Sequence, residues 1–332
     1  MRIIKRTILF LLLTVVAIIG YLNFGSVKAS EDITWGVGFS ELQAQRLGLD
    51  WRKVYLAMLT DFDFERVRLS SYWNEIEKEQ GVFDFTNLDF MVSEATKNGT
   101  EIMIVLGRRQ PRWPECYIPE WAMEVSLAEQ DAFVLTYIQK VVERYRDNEA
   151  IIAWQVENEY FLDVFGVCPE YEKSGIDKEI DLVKSLDSRP VALTDSGELS
   201  FWYPTASRAD ILGTTMYRRV FNPVFQYATY PHRPVYYSKL GKLVQSLAGF
   251  DRQIISELQM EPWSRGGMLE DDSTEENYKT FSPENFTENV EYAKDSGVDE
   301  IYVWGVEWWY YMKDARGIDT FWEQGKDAFR VD

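Results

Sequence analysis

Glutamates stand directly behind two short apolar runs that lie far apart in the sequence. Residues 151–156 are followed by Glu157, Asn158 and Glu159, and residues 253–256 are followed by Glu257 and later by Glu261. Two carboxyl groups suffice for acid–base and nucleophilic chemistry when one keeps its proton and the other is ionised. If the two runs end at the same edge of a sheet, these glutamates predict a carboxylate-based catalytic centre.

Three further side chains near the ends of apolar runs could serve such a centre. Arg68 lies in the second run, Tyr217 follows the sixth, and Trp304 ends the eighth. An arginine or tyrosine that hydrogen-bonds one carboxylate keeps it ionised, whereas a less polar setting lets the other hold its proton near neutral pH. Trp304 offers a face on which a pyranose ring can stack, or else it belongs to the core.

The composition excludes several classes of protein. The 332 residues carry 35 Lys and Arg against 54 Asp and Glu, a formal net charge of −19, with a single histidine. Nucleic-acid binding is disfavoured because phosphate contacts need clustered Lys and Arg. A zinc hydrolase, a haem protein or a Ser-His-Asp enzyme is disfavoured because each normally uses at least one imidazole. We therefore expect neither a metal nor a cofactor.

Short apolar runs alternate with amphipathic stretches along the rest of the chain. They predict an α/β fold, a single (β/α)8 TIM barrel over residues 31–332, in which the carboxyl ends of the strands meet at one face. A doubly wound nucleotide-binding fold would need a third glycine after Gly36-Val37-Gly38, and it is missing. The strands are predicted at residues 34–39, 64–69, 101–106, 151–156, 190–194, 210–214, 253–256 and 300–304, and helices at 42–60, 88–97, 128–146, 178–186, 199–208 and 319–329, with one more starting at Ser282-Pro283.

Residues 1–30 form a separate hydrophobic segment. Arg2, Lys5 and Arg6 precede an uncharged run from Thr7 to Val27, a pattern typical of an export signal. The run is long enough to span a bilayer of ~30 Å, and residues 27–29 also offer a small-residue cleavage site. We expect a signal-anchor or a signal peptide, so that the rest of the chain is either membrane-anchored outside the cytoplasm or secreted. Membrane contact would be made through this segment only.

The residues at the strand ends resemble those of a known group of enzymes. Glu159 follows Trp154-Gln155-Val156-Glu157-Asn158, and the segment VRLSSYWNEIEKEQGVFDFTNLD is similar to a family pattern of Val-Arg-x-x-x-x-Trp followed by Glu, Gly and Phe-Asp-Phe. With Glu257 and Trp304, the chain resembles the retaining glycoside hydrolases of clan A from about residue 35 to 322. These include family 5 cellulases and mannanases and the family 35 and 42 β-galactosidases.

The resemblance implies a role for each candidate residue. Glu159 would be the acid/base and Glu257 the nucleophile of a double displacement on β-linked glycosides. Asn158 would hold the sugar 2-hydroxyl, and Arg68 and Tyr217 would position Glu257. The substrate would be an oligo- or polysaccharide, and we expect a monomer. Many family 5 members carry histidines after the third and sixth strands, but residues 106–109 and 215–217 contain none, so the sugar is left open.

Two other functions stay open at this point. The barrel could bind carbohydrate without catalysis, or it could be a membrane-anchored interaction protein. Glutamates at both expected strand ends favour the enzyme. The two cysteines, Cys116 and Cys168, follow the third and fourth predicted strands, so neighbouring loops could bring them together. We predict a disulfide, which export from the cytoplasm would permit; the alternative is two separate buried thiols.

Overall fold

The computed structural model describes residues 2–30, 32–266 and 268–329. Within them, eight parallel strands close into a barrel in the spatial order β1-β10-β9-β6-β5-β4-β3-β2, and β7 and β8 pair as an antiparallel hairpin. The (β/α)8 prediction is confirmed. The strands are β1 (Thr34–Phe39), β2 (Arg66–Ser70), β3 (Glu101–Leu106), β4 (Ile151–Val156), β5 (Val191–Asp195), β6 (Ile211–Met216), β7 (Arg219–Asn222), β8 (Gln226–Thr229), β9 (Arg252–Gln259) and β10 (Glu300–Trp304).

The barrel strands are buried on both faces, which explains their continuous apolar runs. One set of side chains points inward and forms its own cluster, in which Met103 and Ala153 are register partners. Tyr302 belongs to this cluster, and a Cβ on Gly36 of the neighbouring β1 would lie 2.5 Å from its ring. Glycine at position 36 therefore makes room for a tyrosine inside the barrel.

Helices cover the outside of the barrel. A capping box opens α7, where Ser126 and Glu129 satisfy each other's backbone N–H groups. The helices are α1 (Arg2–Asn23), α2 (Glu41–Arg46), α3 (Trp51–Asp61), α4 (Trp73–Ile76), α5 (Thr86–Asn98), α6 (Glu120–Met123), α7 (Leu127–Tyr145), α8 (Gly175–Leu186), α9 (Tyr203–Ala206), α10 (Val235–Ala248), α11 (Thr274–Asn277), α12 (Pro283–Lys294), α13 (Val306–Arg316) and α14 (Thr320–Phe329).

The observed helices differ from the predicted ones in three respects. The helix predicted over 42–60 is two helices, because Gly48 has φ +75° and Asp50 then caps α3 by accepting N–H groups from Arg52 and Lys53. The helix predicted over 199–208 is only the short α9. The third difference is that the structure contains α10 and α13, which were not predicted. The first turns of α13 are buried on all sides, so its sequence lacks the one-sided apolar stripe that marks an amphipathic helix.

The hydrophobic N-terminal segment forms α1. Its end is attached to α10, where the Nζ of Lys239 donates to the carbonyls of Tyr21 and Phe24 at 2.8 and 2.6 Å. Within the described residues, no helix is both long enough and apolar enough to cross a membrane. The anchor function of residues 1–30 therefore stays a prediction.

Candidate active site

Side chains at the carboxyl ends of the barrel strands enclose a cavity of about 530 Å³. Four of the predicted site residues, Glu159, Tyr217, Glu257 and Trp304, line it. Glu159 follows β4, Tyr217 follows β6, and Glu257 lies in β9 opposite Thr215 of β6. The fold thus brings together groups from four separate parts of the sequence at the face where barrels of this kind place their chemistry.

The other two predicted residues, Arg68 and Asn158, are buried behind this wall. The Nη2 of Arg68 donates to the Oδ1 of Asn158 at 2.7 Å, and its Nε donates to the Oε1 of Gln155 at 2.7 Å. The hydroxyl of Thr194 donates to the same Asn158 oxygen at 2.9 Å. Arg68 therefore holds the end of β4 and the carboxylate on β9 in a fixed relation, because all its contacts are made by one rigid, planar group.

Glu257 is the carboxylate with two strong donors. The Nη1 of Arg68 donates to its Oε1 at 2.9 Å, and the hydroxyl of Tyr217 donates to its Oε2 at 3.0 Å. A guanidinium and a hydroxyl that donate to opposite oxygens fix the plane of the carboxyl group. The Glu257 side chain is therefore held in one orientation at the cavity wall.

Glu159 lies in a different environment. Its side chain is buried, and burial followed by the charge of Glu257 raises the pKa of Glu159 well above its usual value. Its backbone has φ +44°, a sparsely populated conformation for a residue with a Cβ, and its N–H donates to the Thr194 hydroxyl at 3.1 Å. Burial and the neighbouring Glu257 thus favour the protonated form of Glu159.

Glu157 hydrogen-bonds the backbone of the turn after β3. Its carboxylate accepts the backbone N–H groups of Arg108 and Arg109 at 3.0 and 2.6 Å. Burial raises its pKa and raises that of its buried neighbour Glu179 well above the usual value. A Cβ on Gly107 would lie 2.5 Å from the Glu157 carboxyl carbon, so the turn after β3 needs glycine there. The Glu157 carboxylate therefore holds the turn after β3.

Trp304 lines the cavity, but an arginine stacks on its ring. The guanidinium of Arg112 lies 3.8 Å from the ring centroid, which is cation–π distance. Arg112 also forms ion pairs with Glu261 and, at 2.8 Å, with Glu307. The stacking surface predicted for a sugar is therefore shared with a cation that two ion pairs hold in place. Sequence reasoning missed Arg112, which lies in an irregular loop with no motif.

A third carboxyl group in the cavity wall was also missed. Glu115 follows β3, and its Oε2 accepts a hydrogen bond from the Nδ2 of Asn158 at 3.1 Å. Burial raises the pKa of Glu115 to about 8, an effect that Arg109 opposes and Glu257 reinforces. Its neighbour Cys116 forms a disulfide with Cys168, with the two Cα atoms 5.2 Å apart. The predicted bridge is confirmed. The one sequence signal for Glu115 is that it directly precedes Cys116.

Glu198, after β5, is a further carboxyl group of the cavity wall, to which Glu261 also belongs. It accepts from the Thr215 hydroxyl at 2.8 Å, the Tyr217 N–H at 2.8 Å and the Tyr237 hydroxyl at 2.7 Å. Burial raises the pKa of Glu198 to about 7. In the part of the chain that the structure describes, no three His, Cys, Asp or Glu side chains are grouped as metal ligands. The cavity is thus rich in carboxyl groups, each with its own hydrogen-bonding environment.

Comparison with known proteins assigns this barrel to a class. The model of glycosyl hydrolase family 10 matches residues 61–175, which contain Arg68, Asn158 and Glu159. Solved structures with the same fold include an endo-β-1,4-xylanase of family 10 from Gloeophyllum trabeum (14% identity, 85% of this chain and 87% of that one, TM-score 0.56). Others are xylanase 10B of Thermotoga maritima (17%, 82% and 83%, 0.56) and the enzyme GH5_18 of Streptomyces cattleya (12%, 83% and 71%, 0.57).

The chain is a glycosidase of the clan A type. The prediction of a clan A glycoside hydrolase is thereby confirmed at the level of class. The family whose model matches is family 10, not the family 5 that the sequence motifs suggested. The identities to the solved structures are low, so those structures establish the fold of the barrel, and the roles of individual residues rest on the geometry described above.

Proposed function

We propose that this glycosidase hydrolyses β-linked glycosides with retention of configuration, using Glu257 as nucleophile and Glu159 as acid/base. The observation that carries the proposal is the contrast between the two glutamates. Glu257 accepts hydrogen bonds from Arg68 and Tyr217, whereas the pKa of Glu159 is raised by burial in the same cavity. A double displacement needs this combination of one ionised and one protonated carboxyl group.

In this proposal, a specific residue carries out each step of the reaction. Glu159 donates its proton to the leaving oxygen while Glu257 attacks the anomeric carbon and forms a covalent glycosyl ester. Glu159, now ionised, removes a proton from the water that hydrolyses the ester. Arg68 and Tyr217 keep Glu257 oriented through both steps. Asn158, fixed by Arg68 and Glu115, is the proposed partner of the sugar 2-hydroxyl, and Trp304 is the proposed binding surface for the ring.

Trapping the covalent intermediate tests the proposal. A 2-deoxy-2-fluoro β-glycoside with a good leaving group should label the full-length protein once, because the fluorine slows the second step more than it slows departure of an activated group. Peptide mass spectrometry should place the label on Glu257, and the Glu257→Gln variant should not be labelled. A Glu149→Gln variant, which changes an exposed glutamate, serves as the control and should be labelled normally.

Four results would contradict this mechanism. Label on another residue would reassign the nucleophile. Products of inverted configuration, or a crystal structure with carboxyl groups roughly 6.5–9.5 Å apart instead of roughly 5–5.5 Å, would indicate a single displacement by water. Binding of glycans without turnover of any aryl glycoside would favour the carbohydrate-binding alternative.

We also propose that the chain works outside the cytoplasm as a monomer, either anchored by residues 1–30 or released from them. The Cys116–Cys168 disulfide supports export, since such bridges persist in oxidising compartments. Cell fractionation combined with the mass of the mature chain tests this. Recovery of the intact chain in the cytosol with both thiols free would contradict it.

A further inference from the structure

Residues 211–250 differ in charge from the rest of the chain. These 40 residues contain five Lys and Arg and neither Asp nor Glu, although the whole chain carries 54 Asp and Glu and a net charge of −19. The stretch starts with β6, includes the β7–β8 hairpin and ends just after α10. One side of a strongly acidic protein therefore has a local charge of +5.

Most of this positive charge is not neutralised by carboxylates. Of the five cations, only Arg219 forms an ion pair within the described residues, with Glu288 at 2.6 Å. Arg233 is exposed and forms none in that part of the chain. A further cation comes from the loop after β9, where the guanidinium of Arg265 lies 5.6 Å from the ring centroid of Phe221 in the hairpin. The hairpin is thus surrounded by positive charge that can attract an anionic surface.

The turn of the hairpin carries large apolar side chains. Val224 and Phe225, between β7 and β8, are 78% and 75% exposed. They do not line the active-site cavity, whereas Val220 and Tyr230, in β7 and just after β8, do. Single exposed apolar residues are ordinary on a protein surface. Two adjacent ones at the tip of a hairpin that is flanked by cations have the composition of an element that enters a membrane interface.

The hydrophobic N-terminal segment is attached to the same region. The Oδ1 of Asn23, at the end of α1, accepts the backbone N–H of Arg233 at 3.0 Å. Arg233 follows Phe225 by only eight residues, so the hairpin tip lies within about 28 Å of this contact. Phe10 and Leu13 of α1 are 68% and 60% exposed, so these apolar side chains are not packed on the barrel. The end of α1 and the hairpin tip therefore lie on one side of the protein.

We infer that the β7–β8 hairpin and the start of α10, residues 218–242, form a docking surface for a lipid bilayer with anionic headgroups. Val224 and Phe225 enter the boundary between headgroups and acyl chains, and the cations contact the headgroups. This docking surface is a second membrane contact besides residues 1–30, and it rests on the anchor proposed for that segment. Because Val220 and Tyr230 line the cavity, docking also brings this side of the active-site mouth towards the bilayer.

A fluorescent probe on the hairpin tip tests the inference in the full-length protein reconstituted into lipid vesicles. The two native cysteines are joined in a disulfide, so a single introduced cysteine takes a thiol-reactive NBD probe. Val224→Cys places the probe at the tip. Val82→Cys is the matched control, because Val82 is 59% exposed and follows β2, which lies opposite β6 in the barrel.

The two probes should differ in their contact with lipid. The vesicles contain phosphatidylcholine and phosphatidylglycerol, and a fraction of the lipids is spin-labelled close to the headgroup. These lipids should quench the Val224 probe at least about threefold more than the Val82 probe, because an interfacial element enters the bilayer by ~5–10 Å. Iodide in the aqueous phase should quench the two probes in the opposite order.

Matched arginine variants test the part that charge plays. Arg233 and Arg146 are both exposed, and neither forms an ion pair within the part of the chain that the structure describes. Arg233→Gln should lower the ratio of docked to free hairpin tip by about fivefold in the anionic vesicles, as expected for one cation near an anionic surface. The two lifetimes of the Val224 probe give this ratio. Arg146→Gln should leave it unchanged, and equal ratios in the two variants would overturn the assignment of the cations to the headgroups.

Flotation of the vesicles on a density gradient separates the docking surface from the anchor. Protein that floats while iodide quenches both probes equally would overturn the docking surface and leave the anchor standing. Protein that does not float with either composition, with or without phosphatidylglycerol, would refute both. A Val224 probe that is protected from iodide but not quenched by lipid would show that a second copy of this acidic chain covers the hairpin, and it would also overturn the inference. Turnover of aryl glycosides in the same samples tests the proposed catalysis independently.

Discussion

The carboxylate of Glu115 accepts a hydrogen bond from the side-chain amide of Asn158, with 3.1 Å between Oε2 and Nδ2. This contact joins the loop after β3 to the residues that follow β4. The same two loops are joined by the Cys116–Cys168 disulfide and pack closely, since a Cβ on Gly166 would lie 2.9 Å from the Glu115 side chain. The side chains that hydrogen-bond Asn158 or Glu257 are those of Arg68, Gln155, Thr194, Glu115 and Tyr217. Two of these five, Glu115 and Tyr217, lie in loops and not in the barrel strands.

The roles of the two glutamates predict different products with azide. In Glu159→Ala, an activated aryl β-glycoside should still form the covalent intermediate, and azide should attack it to give the β-glycosyl azide. In Glu257→Ala, turnover should fall by about 10⁴-fold or more, and azide should attack the substrate directly from the opposite side to give the α-glycosyl azide. Proton NMR of the products distinguishes the two.

The azide experiment can also contradict the assignment of the two glutamates. If both variants gave the azide of the same configuration, the assignment of nucleophile and acid/base would be wrong. Glu159→Ala should also lose far more activity on alkyl glycosides than on 4-nitrophenyl glycosides, because an alkoxide needs a proton and a nitrophenolate does not. Equal losses on both substrates would remove the acid/base role.

The orientation of Glu257 predicts a selective effect on kcat. Tyr217→Phe removes one charge-assisted hydrogen bond and should lower kcat by about 10- to 100-fold. Arg68→Lys should have a larger effect, since lysine cannot contact Glu257, Asn158 and Gln155 with one planar group. KM should change little in either variant. Arg66→Lys, on the same strand at the opposite end of the barrel, is the matched control, and a similar loss there would indicate a general destabilisation.

The strands could be predicted from the sequence because a parallel barrel buries them on both faces. Four of the eight predicted barrel strands have the observed bounds, and the others differ by a few residues at their ends. Helices were harder to predict. In α13, Trp308, Trp309, Tyr310 and Tyr311 follow one another and are all buried, a run that reads as a strand by composition. In α10, Gly241 lies in the helix interior, where a Cβ would meet Gln253.

Some residues of the candidate site could be predicted from the sequence, and others could not. Glu159 comes shortly after β4 and Glu257 lies near the carboxyl end of β9, so the rule for barrels locates them at one face. Glu115 and Arg112 come from an irregular loop whose path depends on the disulfide and on tertiary contacts. Both have positive φ values, 76° and 87°, which nothing in their residue types predicts. The carboxylate pair could therefore be predicted, and the groups that surround it could not.

Removal of the disulfide should affect both stability and activity. The bridge closes a separation of 52 residues, and in the chain-entropy model a loop of this length contributes about 4 kcal/mol at most. A Cys116→Ser/Cys168→Ser variant should unfold at a lower urea concentration than the wild type and should no longer respond to reductant. Its kcat/KM should fall as well, because Glu115 is next to the bridge. Two freely alkylated thiols in the native wild-type protein would contradict the prediction.

The charge of Glu115 predicts a change in the pH dependence of kcat/KM. Once ionised, Glu115 raises the pKa of Glu159, after the larger effects of burial and of Glu257. The neutral Glu115→Gln variant removes this effect, so Glu159 loses its proton more readily and the basic limb of the profile should move to lower pH. The move should be clearest above the Glu115 pKa of about 8. A basic limb that moves upwards would contradict the prediction, and Glu149→Gln should not move it.

A buried glutamate that does not line the cavity predicts how stability changes with pH. Glu41 is in the first turn of α2, and its Oε2 is buried with no hydrogen-bond partner among the described residues. Burial raises its pKa to about 8, with smaller effects from the charges of Glu75 and Glu307. Because the pKa is higher in the folded state than in the unfolded chain, the folded state binds more protons between pH 4.5 and about 8, and its stability must fall as the pH rises through this range.

Glu41→Gln should remove this loss, since glutamine has no proton to lose. The free energy of unfolding of the variant, relative to the wild type, should increase with pH by at most about 1.4 kcal/mol per pH unit, and the difference should level off above the folded-state pKa. Urea denaturation of both proteins from pH 5 to 9 measures it, and contributions from other buried carboxyl groups cancel in the difference. Glu149→Gln should run parallel to the wild type. A Glu41→Gln difference that is constant over this range would show that Glu41 is ionised in the folded protein throughout.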